Sequence, residues 1–240
     1  MKDLNFLKTR LIAHRGYHDM KKGICENSIS AFKNAIKHNY IIELDIHLLK
    51  DNNIVVFHDG NLKRVCGINK KIEDCTYDEL LKYNLFNTND KIPLLKDVLK
   101  VVNGKVPLLI EIKYYPKYGV LEKKLVDILK NYKGLYAIQS FYPKTIFWFK
   151  KNKKNIPVGL LSSDFKKSNN LKRIIGKTLL LDILLNADFI SYNIKAIPNL
   201  YIKSKRKKKV ILGWTVKNKK QLNEMKEYCD NFICENIIEL

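Results

Sequence analysis

Short apolar, β-branched runs recur along this chain at intervals of about one helix, and no other feature restricts its fold as much. The runs are 10–14, 41–45, 106–112, 136–140, 158–161, 189–192, 210–214 and 231–234. Between them lie stretches with helical spacing: 28–38, with Asn27 as its cap, 93–102, opening on Pro93, 121–129 and 221–228. Strands that alternate with helices make parallel βαβ units. Eight strands within 240 residues predict a (β/α)8 TIM barrel, since an open doubly wound sheet carries about five or six. No Gly-rich dinucleotide or phosphate-loop fingerprint follows any run, which also disfavours the open sheet.

Residues 59–95 interrupt the rhythm. They carry a turn at Cys66-Gly67 and a helix opening at Thr76, whose Glu79 completes a capping box. We read them as a small insertion after strand two, lying over one edge of the barrel mouth, within a single domain spanning 1–240. The formal net charge of +21 raises nucleic acid or an anionic surface as a partner. Heavy use of Lys, Asn and Ile, whose codons are rich in A and T, accounts for it as well, so no nucleic acid is expected. The basic cluster 203–209 reads as a solvated helix end. Five scattered cysteines without a CxxC pair are the reduced thiols of a cytoplasmic protein. The N-terminal apolar residues are broken by charges, so no secretory signal is expected, and no run is long enough for a transmembrane segment. Oligomeric state is not legible.

The chemistry sits at predicted strand ends, where barrels of this kind place their sites. Glu43 and Asp45 lie two apart on one strand and so project to the same face. Two like charges on a buried face are costly, and a divalent cation with oxygen ligands removes the cost. Glu111 on the third strand makes a third carboxylate, a set suited to Mg²⁺ or Ca²⁺ rather than zinc. A Lys113–Asp45 ion pair without metal is the competing arrangement, but three carboxylates outnumber one lysine. Asp51-Asn52-Asn53 is a turn, and a hairpin with its apex near Asn52 brings His58 back opposite Ile46. His14 and His58, at strand ends, form an acid–base pair. Arg15 and Lys113 suit an anionic, phosphate-like group, and Trp214 offers a stacking wall. His47 shares the parity of Glu43 and Asp45 but is left outside the set.

The motifs HRG (14–16), EN-S (26–28), ELD (43–45), V-FHD (55–59), IPLL (92–95), LLIEIK (108–113), QSF (139–141) and GWTV (213–216) together resemble the glycerophosphodiester phosphodiesterase family. The likeness runs almost end to end. It implies a (β/α)8 barrel that hydrolyses glycerophosphodiesters, small-molecule substrates, to glycerol 3-phosphate and an alcohol. Carried onto this chain, it implies His14 and His58 as acid and base, Glu43, Asp45 and Glu111 around one divalent cation, and Arg15 and Lys113 on the phosphate. The closing CENI at 234–237 departs from the family's usual Thr-Asp-x-Pro. Two rival readings are a lysophospholipase D or sphingomyelinase-D-like lipid phosphodiesterase, and a non-catalytic barrel that binds anions or nucleic acid. The latter leaves the acidic cluster unexplained.

Overall fold

The computed structural model describes residues 2–166 and 170–235. Its strands are β1 (Ile12–Ala13), β2 (Ile41–Leu48), β3 (Ile54–Val56), β4 (Leu108–Ile112), β5 (Tyr136–Ser140), β6 (Val158–Ser162), β7 (Phe189–Asn193), β8 (Val210–Val216) and β9 (Asn231–Cys234). They are hydrogen-bonded in the order β1-β9-β8-β7-β6-β5-β4-β2-β3, and β1 also pairs with β2. Without the hairpin strand β3, the eight others with their intervening helices form the expected (β/α)8 barrel. Of the closing CENI, Asn236 and Ile237 lie outside the described residues.

Two compact units divide the chain, one of them Ala13–Tyr136. In that unit β2 is buried at every position. Ile42, Leu44, Ile46 and Leu48 point one way and Glu43, Asp45 and His47 the other, as the two-residue period of a strand requires. The strand runs three residues beyond the expected end because His47 and Leu48 are buried too. It pairs in parallel with β4, setting Asp45 beside Glu111, and antiparallel with β3.

The hairpin corrects one expectation. Val56, not His58, lies opposite Ile46. Leu49 N–H donates to Asn53 O at 2.9 Å, closing a loop shorter than expected and keeping Leu49 in the core. Asn52 takes the left-handed conformation, φ 64°, which Asn tolerates. His58 therefore lies past the ladder, and Phe57 N–H donates to Asp45 O at 2.9 Å.

The segment after β3 has a small core of its own. Leu62, Val65, Ile72, Cys75, Leu80, Leu85 and Ile92 pack with Cys25, Leu49, Val55 and Phe57. A short helix, Lys63–Cys66, ends at Gly67 with φ 75°. The next, Tyr77–Leu80, has the predicted capping box between Thr76 and Glu79. Helix Ile29–Lys37 is capped by Ser28, whose hydroxyl accepts from Ala31 N–H at 3.1 Å. Asn27, the expected cap, is therefore free for other work. Helix Leu95–Val102 starts two residues after Pro93, with Leu94 at its cap position.

In the other unit, neighbouring strands from β5 to β9 pair in parallel. Asp188 ties Lys2 (2.6 Å) and Lys150 (2.9 Å) to the base of this sheet. Asn231 Nδ2 donates to Leu7 O and Arg10 O, both at 2.7 Å. Helix Leu200–Arg206 carries much of the basic cluster, which is less solvated than expected. Lys205 and Lys209 both pair with buried Asp182, and Arg206 pairs with Asp230. All five cysteines are free thiols, as expected. Among the described residues no helix is long and apolar enough to cross a membrane.

Candidate active site

Strands β2 and β4 bring Glu43, Asp45 and Glu111 together, all buried, with one oxygen from each within 4.8 Å of the others. Lys113 follows β4. Its Nζ hydrogen-bonds Glu111 Oε1 and lies 2.7 Å from Asp45 Oδ1, close enough to pair but off the line of a hydrogen bond. The competing ion pair is thus present, alongside two further carboxylates. Burial pushes Glu111 up to about 7, against the pull of Lys113. Burial and the charges of Asp45 and Glu111 hold Glu43 well above the carboxylate range. Burial would raise Asp45 too, but Lys113, His58, Arg15 and His14 outweigh it and hold that carboxyl low. One full anion and two reluctant ones share this pocket, so the cluster is short of positive charge. An all-oxygen donor set with that deficit fits a hard divalent cation.

The turn after β1 supplies the next residues. Arg15 (φ 56°) and Gly16 (φ 79°) are both left-handed, and a Cβ on Gly16 would meet the Ala31 Cβ at 2.9 Å. The turn aims Arg15 N–H at Glu43 Oε2, 3.0 Å away. Arg15 Nη1 donates to Glu26 Oε1 at 2.7 Å, while its Nε lies 3.7 Å from Asp45 Oδ2, buried and without a hydrogen bond. Burial would lower the Arg15 pKa, but Asp45 and Glu26 raise it. His14, in the same turn, is half-buried, and its charge acts on Asp45.

Asn27, outside the expected site set, belongs to the site. Left-handed at φ 53°, it donates from Nδ2 to Asp45 Oδ2 at 2.9 Å, and its own N–H donates to Arg15 O at 2.9 Å. A signal existed: two cap-type residues, Asn27 and Ser28, precede a helix that needs one cap.

His58 is held from several sides. Its Nδ1 hydrogen-bonds Asp59 Oδ1 at 2.6 Å, and its carbonyl lies 3.2 Å from His47 Nε2. Burial lowers the His58 pKa; Lys113 and Arg15 add to that and Asp45 opposes it. Buried His47 is pushed down to about 4, chiefly by burial. Arg64, on helix Lys63–Cys66, joins the two arms of the site. Its Nε and Nη2 donate to Asp59 at 2.7 and 3.0 Å, and its Nη2 and Nη1 donate to Glu26 at 2.6 and 3.1 Å. Phe86 lies under the guanidinium, 5.6 Å from ring centroid to Cζ. Burial would raise Asp59, but Arg64 and His58 hold it at about 2. Seven of the eight expected site residues thus belong to the unit Ala13–Tyr136. Trp214 belongs to the other, where β8 sets it beside Asn193 and its ring meets Phe141 edge-on at 5.6 Å. Its indole N–H is buried without a hydrogen bond.

The profile of the glycerophosphoryl diester phosphodiesterase family matches residues 14–234. A glycerophosphodiester phosphodiesterase from Caldanaerobacter subterraneus subsp. tengcongensis is 33% identical over 166 residues, covering 65% of this chain and 67% of that protein. A lysophospholipase D from Homo sapiens is 36% identical over 134 residues, covering 50% and 41%. The chain spans 41 to 67% of the length of these and similar curated relatives. Among solved structures, a glycerophosphodiester phosphodiesterase from Parabacteroides distasonis superposes with a TM-score of 0.78 at 25% identity, covering 98% of this chain and 94% of that one.

Proposed function

Because the chain belongs to the glycerophosphoryl diester phosphodiesterase family, we propose that it hydrolyses glycerophosphodiesters to glycerol 3-phosphate and an alcohol. The observation that carries the proposal is the buried cluster of Glu43, Asp45 and Glu111, flanked by Arg15, Lys113, His14 and His58. The three carboxylates would hold one divalent cation, Mg²⁺ or Ca²⁺. When bound, the cation supplies Lewis-acid polarisation of the phosphoryl oxygens.

The protein's own groups do the rest. Arg15, whose buried Nε–H makes no hydrogen bond within the protein, would donate to a phosphate oxygen. Lys113, held charged by Asp45 and Glu111 in spite of its burial, offsets negative charge that grows at phosphorus. The Asp59 carboxylate engages His58 Nδ1, so Nε2 is the ring nitrogen left to move a proton. His14 is the second proton carrier: one ring takes the proton of the attacking oxygen and the other protonates the leaving alcohol. Trp214, expected at a strand end, lies two residues inside β8, which continues to Val216; it is assigned to the substrate on the family likeness. The free cysteines support a cytoplasmic location.

A second reading, lysophospholipase D activity, is favoured by the 36% identity to an enzyme of that name. The test is hydrolysis of glycerophosphocholine, glycerophosphoethanolamine and lysophosphatidylcholine by protein stripped with chelator, then resupplied with Mg²⁺, Ca²⁺ or Mn²⁺. Release of glycerol 3-phosphate only after add-back is the expected result. Turnover of lysophosphatidylcholine alone selects the second reading. No turnover of any diester with any cation refutes both.

A further inference from the structure

We propose that the face built from residues 170 to 201 docks on an anionic lipid bilayer. Three helices make it: Asn170–Thr178, Leu180–Leu185 and Leu200–Arg206. They are tied together, since Asn199 Nδ2 donates to Lys177 O at 3.0 Å and Lys205 pairs with Asp182 at 2.6 Å. Along them Leu171, Ile174, Ile183, Leu184, Leu200 and Tyr201 are all exposed, Leu184 at 77% and Leu200 at 84%. Large apolar side chains scattered singly over a surface are ordinary, but this many on joined elements mark an interaction site.

Helix Leu180–Leu185 is the most telling of the three. Leu180, Ile183 and Leu184 share one helical face and lie outward, while Asp182 is 1% exposed. Lys205 and Lys209 pin that acid from inside, so the helix cannot turn its leucines inward without breaking both pairs. An element with its charge inside and its aliphatic face outside is arranged for an apolar surround.

The same face is cationic. A groove of about 650 Å³ beside it is lined by Lys166, Arg173, Lys177 and Lys195, with Asp164 as the one acid. Arg173 and Lys177 lie one turn apart on the helix that presents Leu171 and Ile174. Aliphatic residues fringed by Lys and Arg match a surface that is apolar below and anionic at its headgroups. A nucleic acid would call for stacked aromatic rings, and Tyr201 is the only aromatic among these exposed residues.

The inference does not depend on the hydrolytic reading, because its assay measures partition alone. Sedimentation with vesicles of phosphatidylcholine, and of phosphatidylcholine mixed with phosphatidylglycerol, would show binding to the mixed vesicles ~10-fold tighter or more, weakened by added salt. The double variant I183S/L184S would lose most of that binding with an unchanged circular dichroism spectrum, and Arg173→Glu would lose it in part. Equal partition onto both vesicle types overturns the proposal, as does full binding by I183S/L184S. So does a wild-type dimer that this double variant converts to monomer in light scattering. Tight binding of a single-stranded RNA with no binding to either vesicle also overturns it.

Discussion

Replacing Arg64 with Met tests whether the segment after β3 works for the site or merely packs beside it. Arg64 makes four N–H···O contacts to two carboxylates, at 2.6 to 3.1 Å. Its side chain is 44% exposed, so water can re-solvate Asp59 and Glu26 once the guanidinium is gone. The expected stability loss is therefore only on the order of 1–2 kcal/mol, well below four charged hydrogen bonds at face value. The effect on turnover should be larger. Asp59 would still accept from His58 but no longer be fixed in orientation, and losses of ~10–100-fold are typical when such a supporting partner is removed. KM should move less, because Arg15 keeps its own 2.7 Å contact with Glu26. The pH profile adds an independent sign. Without the Arg64 charge, Asp59 acts on His58 uncompensated and raises its pKa, so the limb that belongs to His58 shifts to higher pH. Arg64→Lys, which can serve one carboxylate, should recover part of kcat. Steady-state kinetics across pH with a denaturant midpoint would settle it. A folded Arg64→Met protein with wild-type kcat and an unmoved profile would refute the reasoning.

Three further outcomes are expected. His14→Ala and His58→Ala should each fold normally and lose ~10²–10⁴-fold in kcat, measured on whichever glycerophosphodiester the wild type turns over best. In metal-free protein, buried His47 stays neutral down to about 4, whereas in the unfolded chain it takes a proton near its ordinary ~6.5. The unfolded state thus binds the extra proton in that window, and stability present above pH ~6.5 falls towards pH 4 by up to about 3 kcal/mol. His47→Gln should flatten this part of the pH dependence in urea melts. Asn27→Ala removes a donor from buried Asp45 and should cost ~1–3 kcal/mol, read as a lower thermal midpoint; an unchanged midpoint would show that the Asn27–Asp45 contact contributes nothing.

Much of this protein is decided within the chain by local rules. Period and spacing alone locate the eight barrel strands, because β-branched runs and amphipathic helices repeat along the chain. The parity of Glu43 and Asp45 is likewise local, since a strand alternates its faces whatever it packs against. So is the capping box at Thr76, which needs only residues three apart. Other features required tertiary structure. The hairpin register depended on whether Leu49 closed the loop, a matter of two residues that places His58 beyond the ladder. Asn27 could have capped the helix as readily as Ser28; only the position of Asp45 across the chain assigned it to the carboxylate. Arg64 looked like one cation among 45 Lys and Arg, and its selection follows from where the segment after β3 sets a guanidinium between Asp59 and Glu26. Burial of Glu43, Asp45 and Glu111 on adjoining strands is equally a tertiary fact. A carboxylate's charge depends on the distance to its neighbours and to water, and neither distance can be read along a sequence.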